Sequence, residues 1–277
     1  MCRDHPHSNN KNTDNKDIMG LKTTEFTLSQ IKQSVYEGIR LNLENSDFKF
    51  KKSNFSFRRK HGNDYEIFYF LFYDYFPLGF NVHFLLESWN NEVERIKTAL
   101  PYEQTIENFN FRSISIAMGD FIDAEEIKNQ ILKIRPFIGD TTCNFQQQAK
   151  PIDRKAILTR AQIDGYSFFI VSKDDLAEAC NRLKALLNDK ALPLSDSLAT
   201  LSGINRFFES WKNWSVESLS LNNMATEIVS AKLGQERNYI KAYESVMSHI
   251  NLLIKNSILT PAVAKVIEEL DKFMRSK

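Results

Sequence analysis

Glycine is scarce in this chain, with 9 residues among 277, and no glycine-rich ligand motif is present. The sequence also contains no G-x-x-x-x-G-K-[ST], no H-E-x-x-H, no C-x-x-C and no G-x-S-x-G. Loops that hold phosphates need glycine at fixed positions because the backbone has to approach the ligand closely. We therefore do not expect a nucleotide-dependent enzyme, and we predict no cofactor and no metal site.

Cysteines are few, and long apolar runs are missing. The three cysteines, Cys2, Cys143 and Cys180, are widely separated and imply no disulfide framework. The first twenty residues contain no apolar core of a signal peptide. The longest apolar stretch, residues 67–73, is well short of the roughly 20 residues that a membrane-spanning helix needs. We expect a cytoplasmic protein that does not engage a membrane.

The charges nearly cancel, with 36 Lys and Arg against 35 Asp and Glu. A protein that coats nucleic acid would carry a strong positive excess, and a net charge of +1 gives no such footprint. Aromatic residues, in contrast, are abundant: 21 Phe and 9 Tyr contribute to an aromatic fraction of 12%. Most of the information in the sequence therefore lies in its aromatic and local charge patterns.

The hydrophobic periodicity changes along the chain and indicates the fold class. Residues 1–24 are polar and predict a disordered tail. A helix is predicted from Thr27 to about Asn45, with Thr27 and Gln30 as a capping box. Alternating residues then predict about four antiparallel strands, followed by short strands near 111–118 and 166–171. A helix is predicted between these two strands at 123–135, and residues 138–164 give no clear signal.

Helical periodicity alone continues after Ser172. The predicted helices span about 173–190, 196–213, 216–233, 237–256 and 261–275. The sequence thus predicts an α+β fold: an antiparallel meander sheet with flanking helices in residues 25–172, followed by an all-helical region in 173–277. That region is either a separate helical domain or a subdomain packed on the sheet.

A basic and aromatic hairpin, FKFKKSNFSFRRKH (48–61), is the most distinctive local pattern. Its phenylalanines alternate with polar residues, most of them cations, so the phenylalanines are predicted to face the core. No Asp or Glu occurs between Asp47 and Asp64. Four cations are predicted to share the outward face, namely Lys49, Lys51, Arg58 and Lys60. Such a surface suits an acidic protein partner or the phosphates of a nucleic acid. Lysines on an outer strand also discourage edge-to-edge aggregation.

The string F-K-F-K-K-x-x-F-x-F-R-R at 48–59, with an apolar helix before it and an aromatic strand pair after it, resembles a known pattern. It resembles the opening of certain small bacterial domains of unknown function, some of which are associated with toxin-immunity loci. The resemblance covers about residues 28–120 and implies a non-enzymatic bacterial binding protein. It brings no catalytic residues, and the helical region beyond residue 172 departs from the short single-domain form.

Two aromatic groups are further candidates for a binding surface. Tyrosines at 65, 69, 73 and 75 are predicted to share one face of the third strand, opposite its phenylalanines. Phe207, Phe208, Trp211 and Trp214 cluster within eight residues, too closely for one narrow helical stripe to bury them all. The cluster is either core or part of an interface, because aromatic anchors dominate many interfaces. The partner-binding candidates are accordingly Lys49, Lys51, Arg58, Lys60, Tyr65, Tyr75, Trp211 and Trp214.

Catalysis has one candidate location. His83 is predicted on the polar face of its strand, with Tyr69 and Tyr73 on the adjacent strand. A histidine there could titrate near neutrality and serve a hydrolase, although a histidine half-covered on a sheet face explains the pattern equally. The carboxylates at 120, 123, 125 and 126 are interpreted as helix-capping groups. The leading hypothesis is a non-catalytic immunity-like or adaptor-like protein; the alternatives are an enzyme near His83 and nucleic-acid binding through the hairpin.

Overall fold

A computed structural model of the chain describes residues 26–74, 79–99, 114–122, 168–210, 221–234, 238–256 and 261–276. The predicted tail 1–24, the predicted helix 123–135 and residues 138–164 lie outside these described residues. Within them, the predicted fold class is confirmed: an antiparallel six-stranded sheet is flanked by helices and followed by an all-helical region.

Helix α1 (Leu28–Glu44) begins at the predicted capping box. The backbone N–H of Gln30 donates to Oγ1 of Thr27 at 3.3 Å, and the N–H of Thr27 donates to Oε1 of Gln30 at 2.8 Å. Both bonds satisfy N–H groups that a helix start leaves without intrahelical partners. The buried stripe consists of Ile31, Val35, Ile39 and Leu43, spaced four residues apart. This stripe fixes α1 against the sheet.

The sheet is a meander of four strands with two short strands added at one edge. The strands are β1 (Lys49–Lys51), β2 (Ser56–His61), β3 (Asp64–Asp74), β4 (Phe80–Trp89), β5 (Ile114–Ala117) and β6 (Phe168–Ile170). Strands β1 to β4 pair in sequence order, and both β5 and β6 pair with β4. They occupy different ends of that strand, because β5 pairs with residues 85–88 and β6 with residues 80–82. All pairings are antiparallel, as predicted for the meander.

The inner face of the sheet carries the phenylalanines. Phe50 pairs with Phe57, Phe57 with Phe68, and Phe68 with Leu86, so one apolar row crosses four strands. Because side chains alternate along a strand, every second residue of β3 and β4 joins this face. The turn between β2 and β3 uses Gly62 at φ 62°, a conformation that glycine adopts without steric cost.

The helical region begins after β6 and differs from its prediction in the boundaries. The helices are α2 (Asn91–Thr98), between β4 and β5, and then α3 (Lys173–Leu186), α4 (Leu192–Leu198), α5 (Leu201–Ser210), α6 (Leu221–Gly234), α7 (Tyr239–Lys255) and α8 (Pro261–Arg275). A π-helical turn at Leu187–Ala191 joins α3 directly to α4. The single helix predicted over 196–213 is therefore wrong: α4 ends at Leu198 and α5 starts at Leu201.

Two hydrophobic clusters organise the packing. In the first, residues of α1, α3, α4 and α5 cover the inner face of the sheet. In the second, Val93 of α2 packs with residues of α6, α7 and α8. Helix α6 contacts α2, α5, α7, α8 and β5, and its residues 222–231 are all buried. No helix in the described part of the chain is both long and apolar enough to cross a membrane.

Candidate functional site

The outer face of the sheet carries most of the side chains that the sequence singled out. It begins with the cations of β1 and β2 and continues through Tyr65, Tyr69 and Tyr73 of β3 to His83 of β4. Unlike the phenylalanine core of the inner face, these side chains keep part of their surface accessible. The predicted orientation of the hairpin cations and of the tyrosine row is thus confirmed for the described residues.

The basic end of this face is formed by the hairpin. Lys49, Lys51 and Lys60 are exposed, and none of them forms an ion pair with any residue that the structure describes. Lys49 lies directly opposite Arg58 in the register, on the same face. Like charges in opposite positions destabilise a strand pair. The outward face of the hairpin therefore carries three lysines, Lys49, Lys51 and Lys60, without an acidic partner among the described residues.

Arg58 differs from the three lysines because it is held in an aromatic stack. Its guanidinium carbon lies 3.9 Å from the centre of the Tyr65 ring, within the range of a cation–π contact. Tyr65 in turn stacks on Trp89 of β4, with ring centres 5.4 Å apart and planes 9° apart. The three side chains form an Arg58–Tyr65–Trp89 stack beside Lys60, which pairs with Tyr65 in the register. The sequence did not indicate that Trp89 belongs to this surface.

Arg59, the neighbouring cation, points to the inner face and is not part of the basic surface. Its Nε lies 3.3 Å from Oε2 of Glu66, and its other nitrogens donate to Ser195 and Asp196 of α4 at 3.2 and 2.6 Å. Glu66 is only 1% exposed, and burial raises its pKa against the lowering effects of Arg59 and His61. The ion pair with Glu66 joins β2 to β3, and the contacts with Ser195 and Asp196 anchor the hairpin to α4.

His61 has a partner that sequence reasoning did not identify. Its Nε2 lies 3.1 Å from Oε2 of Glu66, the same oxygen that Arg59 contacts. The tight turn at Gly62 brings the end of β2 beside the start of β3 and so places His61 next to Glu66. The strand period alone predicts that Arg59 shares the face of Phe57. It does not predict which acid meets it.

The catalytic candidates are only partly brought together. The rings of His83 and Tyr73 lie 5.4 Å apart, whereas Tyr69 is paired with Leu85. The residue directly opposite His83 is Leu71. In the described part of the chain, no group of three or more His, Cys, Asp or Glu residues is arranged to hold a metal ion. The hydrolase hypothesis therefore rests on the contact between His83 and Tyr73, since Leu71, opposite His83, is not a nucleophile.

Several predicted candidates are in the core or outside the described residues. Tyr75, Trp211 and Trp214 are outside, as are the carboxylates at 123, 125 and 126. Phe207 and Phe208 are each 4% exposed and belong to the first hydrophobic cluster. Asp120 accepts from the backbone N–H of Ala117 at 3.0 Å, a capping role of the predicted kind.

A second buried polar cluster joins α2 to α6 and has no clear sequence signal. Nζ of Lys97 lies 2.9 Å from Oε1 of Glu94 and 3.3 Å from Oγ1 of Thr226, and all three residues are at most 1% exposed. Burial lowers the pKa of Lys97, and the carboxylate of Glu94 opposes that effect. A lysine and a glutamate three residues apart on a helix are ordinary on a surface. Only the packing of α6 buries them.

Comparison with protein-family models, with curated proteins and with solved structures finds no match for this chain.

Proposed function

We propose that the protein is a non-catalytic binding protein, immunity-like or adaptor-like, that engages an acidic protein partner. Its binding surface is the outer face of the sheet, from the basic hairpin to the Arg58–Tyr65–Trp89 stack. The single observation that carries the proposal is the set of exposed lysines at 49, 51 and 60, which have no acidic partner among the described residues. The proposal includes a bacterial, cytoplasmic setting, which rests on the sequence pattern and its resemblance.

Electrostatics supports an acidic partner. Lys49 and Arg58 repel each other across the strand pair, and an approaching carboxylate would relieve that repulsion. Cations at the rim of an interface mainly steer association and select the sign of the partner's charge. Each exposed ion pair contributes up to about 1 kcal/mol, so three of them contribute on the order of 2 kcal/mol, or more than tenfold in affinity.

The aromatic stack provides an apolar area beside the charges. Tyr and Trp are enriched at the centres of interfaces because they combine a large apolar surface with a polar tip. Tyr65 and Trp89 are already stacked and partly accessible, so little side-chain entropy is lost when a partner covers them. This arrangement favours a protein surface over a nucleic acid, because a base would have to compete with rings that already stack on each other.

The test uses two triple variants with the same change in net charge. K49E/K51E/K60E reverses the hairpin, and K184E/K241E/K265E reverses three exposed lysines on α3, α7 and α8. Poly-L-glutamate serves as the acidic polypeptide probe, and a single-stranded oligonucleotide of equal charge serves as the competing probe. We expect the hairpin variant to lose at least about tenfold in affinity for poly-L-glutamate. The control variant should change far less.

Equal losses in the two variants would contradict the proposal, because they would show a response to net charge alone. Tighter binding of the oligonucleotide than of poly-L-glutamate, abolished in the hairpin variant, would replace the proposal with nucleic-acid binding. Titration at increasing salt provides a further check, since an exposed ionic interface weakens as screening increases.

A further inference from the structure

The guanidinium of Arg58 has hydrogen-bond donors that no residue of the described chain uses. Arg58 is half-buried on β2, and its Nε is enclosed without a hydrogen-bond partner. Its two terminal nitrogens are accessible, and none of the described residues accepts a hydrogen bond from them. The neighbouring Arg59 differs, because its nitrogens contact Glu66, Ser195 and Asp196. Arg58 therefore presents the outward edge of its guanidinium to a molecule that approaches the sheet.

The aromatic stack fixes the plane of this guanidinium. The guanidinium carbon lies 3.9 Å from the centre of the Tyr65 ring, and Tyr65 stacks on Trp89 with the two planes 9° apart. An exposed arginine samples many rotamers, and a ligand that binds it has to order them. Arg58 already lies against an aromatic surface, so its terminal nitrogens have a defined direction before a partner arrives.

The neighbours of Arg58 on this face are cations on one side and an apolar residue on the other. Lys49 lies directly opposite Arg58 on β1, and Lys60 follows two residues later on the same face. On β3, Arg58 is paired with Ile67, which is 7% exposed and is itself paired with Glu87 of β4. Ile67 thus separates the cations from the carboxylate of Glu87. The adjacent register positions, all of them described, supply no acid to Arg58.

We infer that Arg58 is the residue that recognises an acidic side chain of the partner, binding its carboxylate through two parallel hydrogen bonds from the terminal nitrogens. Carboxylate and guanidinium are both planar and pair edge to edge, so this contact forms while the guanidinium face stays on Tyr65. Lys49 adds charge beside the pair but cannot reproduce its geometry, because an ammonium group acts as a point charge. The inference rests on the proposed function and assigns to Arg58 the selection of a carboxylate within that surface.

The experiment compares Arg58→Lys with Arg206→Lys, the same charge-conserving change at an exposed position of α5. The probe is a hexaglutamate peptide, acetylated and amidated at its ends so that side-chain carboxylates are its only anions. Binding to the full chain is measured by isothermal titration calorimetry. We expect R58K to bind about fivefold more weakly than wild type, which corresponds to the loss of one net hydrogen bond. R206K should bind as wild type does.

Heteronuclear NMR of the arginine side chains follows the contact itself. Two hydrogen bonds to one carboxylate hinder rotation of the guanidinium, so the terminal N–H signals of Arg58 should become resolved when the peptide binds to wild type. The corresponding signals of Arg206 should stay averaged. Hexathymidylate, titrated in the same way, presents phosphates in place of carboxylates.

Equal affinities of R58K and wild type, or terminal N–H signals of Arg58 that stay averaged in the bound state, would overturn the inference. If K49E/K51E/K60E still loses the peptide in that case, the proposed function stands, whereas a peptide that does not bind wild type would end both. A larger response of the Arg58 signals to hexathymidylate than to the peptide would also overturn the inference, by showing that the site selects a phosphate. If R58K does not fold, the spectra of wild type decide.

Discussion

The ion pair between Arg59 and Glu66 provides the sharpest test of how the hairpin is anchored. Replacing Arg59 with Met keeps an apolar stem of similar length and removes the guanidinium. The guanidinium contacts Glu66 and Asp196, donates to Ser195, and lies 4.6 Å from the centre of the Phe48 ring. The variant therefore leaves a buried carboxyl group without its main cation.

The expected loss in the free energy of unfolding follows from how deeply each partner of Arg59 is buried. Asp196 is 64% exposed on its side chain, so its pair with Arg59 is screened and contributes less than about 1 kcal/mol. Glu66 is 1% exposed, and removing one partner of a buried pair costs about 3–5 kcal/mol. We expect R59M to lower the free energy of unfolding by about 4 kcal/mol.

A second variant distinguishes this explanation from a simple loss of packing. In R59M/E66M both charges are replaced by apolar groups, and such replacements of buried ion pairs are often neutral. We expect the double variant to recover most of the stability that R59M loses.

The assay is urea denaturation followed by circular dichroism, with linear extrapolation to zero urea. Arg206→Met, at an exposed position of α5, is the matched control and should change the free energy of unfolding by less than about 0.5 kcal/mol. If R59M costs no more than R206M, or if the double variant is as unstable as R59M, the buried carboxylate is not the source of the effect and the reasoning is wrong.

Three further predictions concern protonation and backbone conformation. Burial raises the pKa of Glu66 above 4.5, so the folded state binds the proton of this carboxyl more tightly than the unfolded state does. Glu66 therefore makes the free energy of unfolding fall as pH rises from 4.5 through the raised pKa. Urea titrations of E66M over this pH range should lack that fall. Burial lowers the pKa of Lys97 below 10.5, so this amine makes the free energy of unfolding rise with pH from the lowered pKa up to 10.5. The free energy of unfolding of wild type should therefore increase over this range relative to that of K97M. Gly79→Ala should cost about 2 kcal/mol or more in thermal denaturation. The cost should exceed that of Gly62→Ala, where a Cβ meets no atom within 4 Å.

The sheet was predictable because its signals are local. Alternating Phe and Lys residues in the hairpin, the turn at Gly62 and the two-sided apolar run of β3 each depend on neighbours in sequence. They sufficed to place Lys49, Lys51 and Lys60 on the outer face. The pairing of β5 and β6 with β4 depends on contacts between distant segments, and the sequence gives no register for them.

The helical boundaries were less predictable for a related reason. The prediction ends one helix near residue 190 and begins the next near residue 196, on either side of Pro193. The chain instead continues through a π-helical turn at Leu187–Ala191 and breaks after Leu198.

The sequence did not indicate the buried cluster of Lys97, Glu94 and Thr226. Periodicity predicts which side of a helix faces the core, and not whether a second helix also covers its polar side. Helix α6 is buried from residue 222 to residue 231, although its polar residues recur at helical spacing and so predict an exposed face: Asn222, Asn223, Thr226, Glu227 and Ser230.

The two buried ionic clusters join parts of the chain that are far apart in sequence. Arg59 contacts Asp196 across 137 residues, and Lys97 contacts Thr226 across 129. Apolar contacts tolerate small shifts of a helix, because they are non-directional. The hydrogen bonds that Arg59 and Lys97 donate to the buried hydroxyls of Ser195 and Thr226 are directional, and a rotation of α4 or α6 would leave a buried donor with one partner fewer. These clusters therefore fix the position of α4 on the hairpin and of α6 on α2 more narrowly than the surrounding Leu and Ile residues could. The outward-facing cations of the hairpin depend on the Arg59 cluster. Arg59 holds β2 in place on the inner face of the sheet, while its neighbours Arg58 and Lys60 face outward.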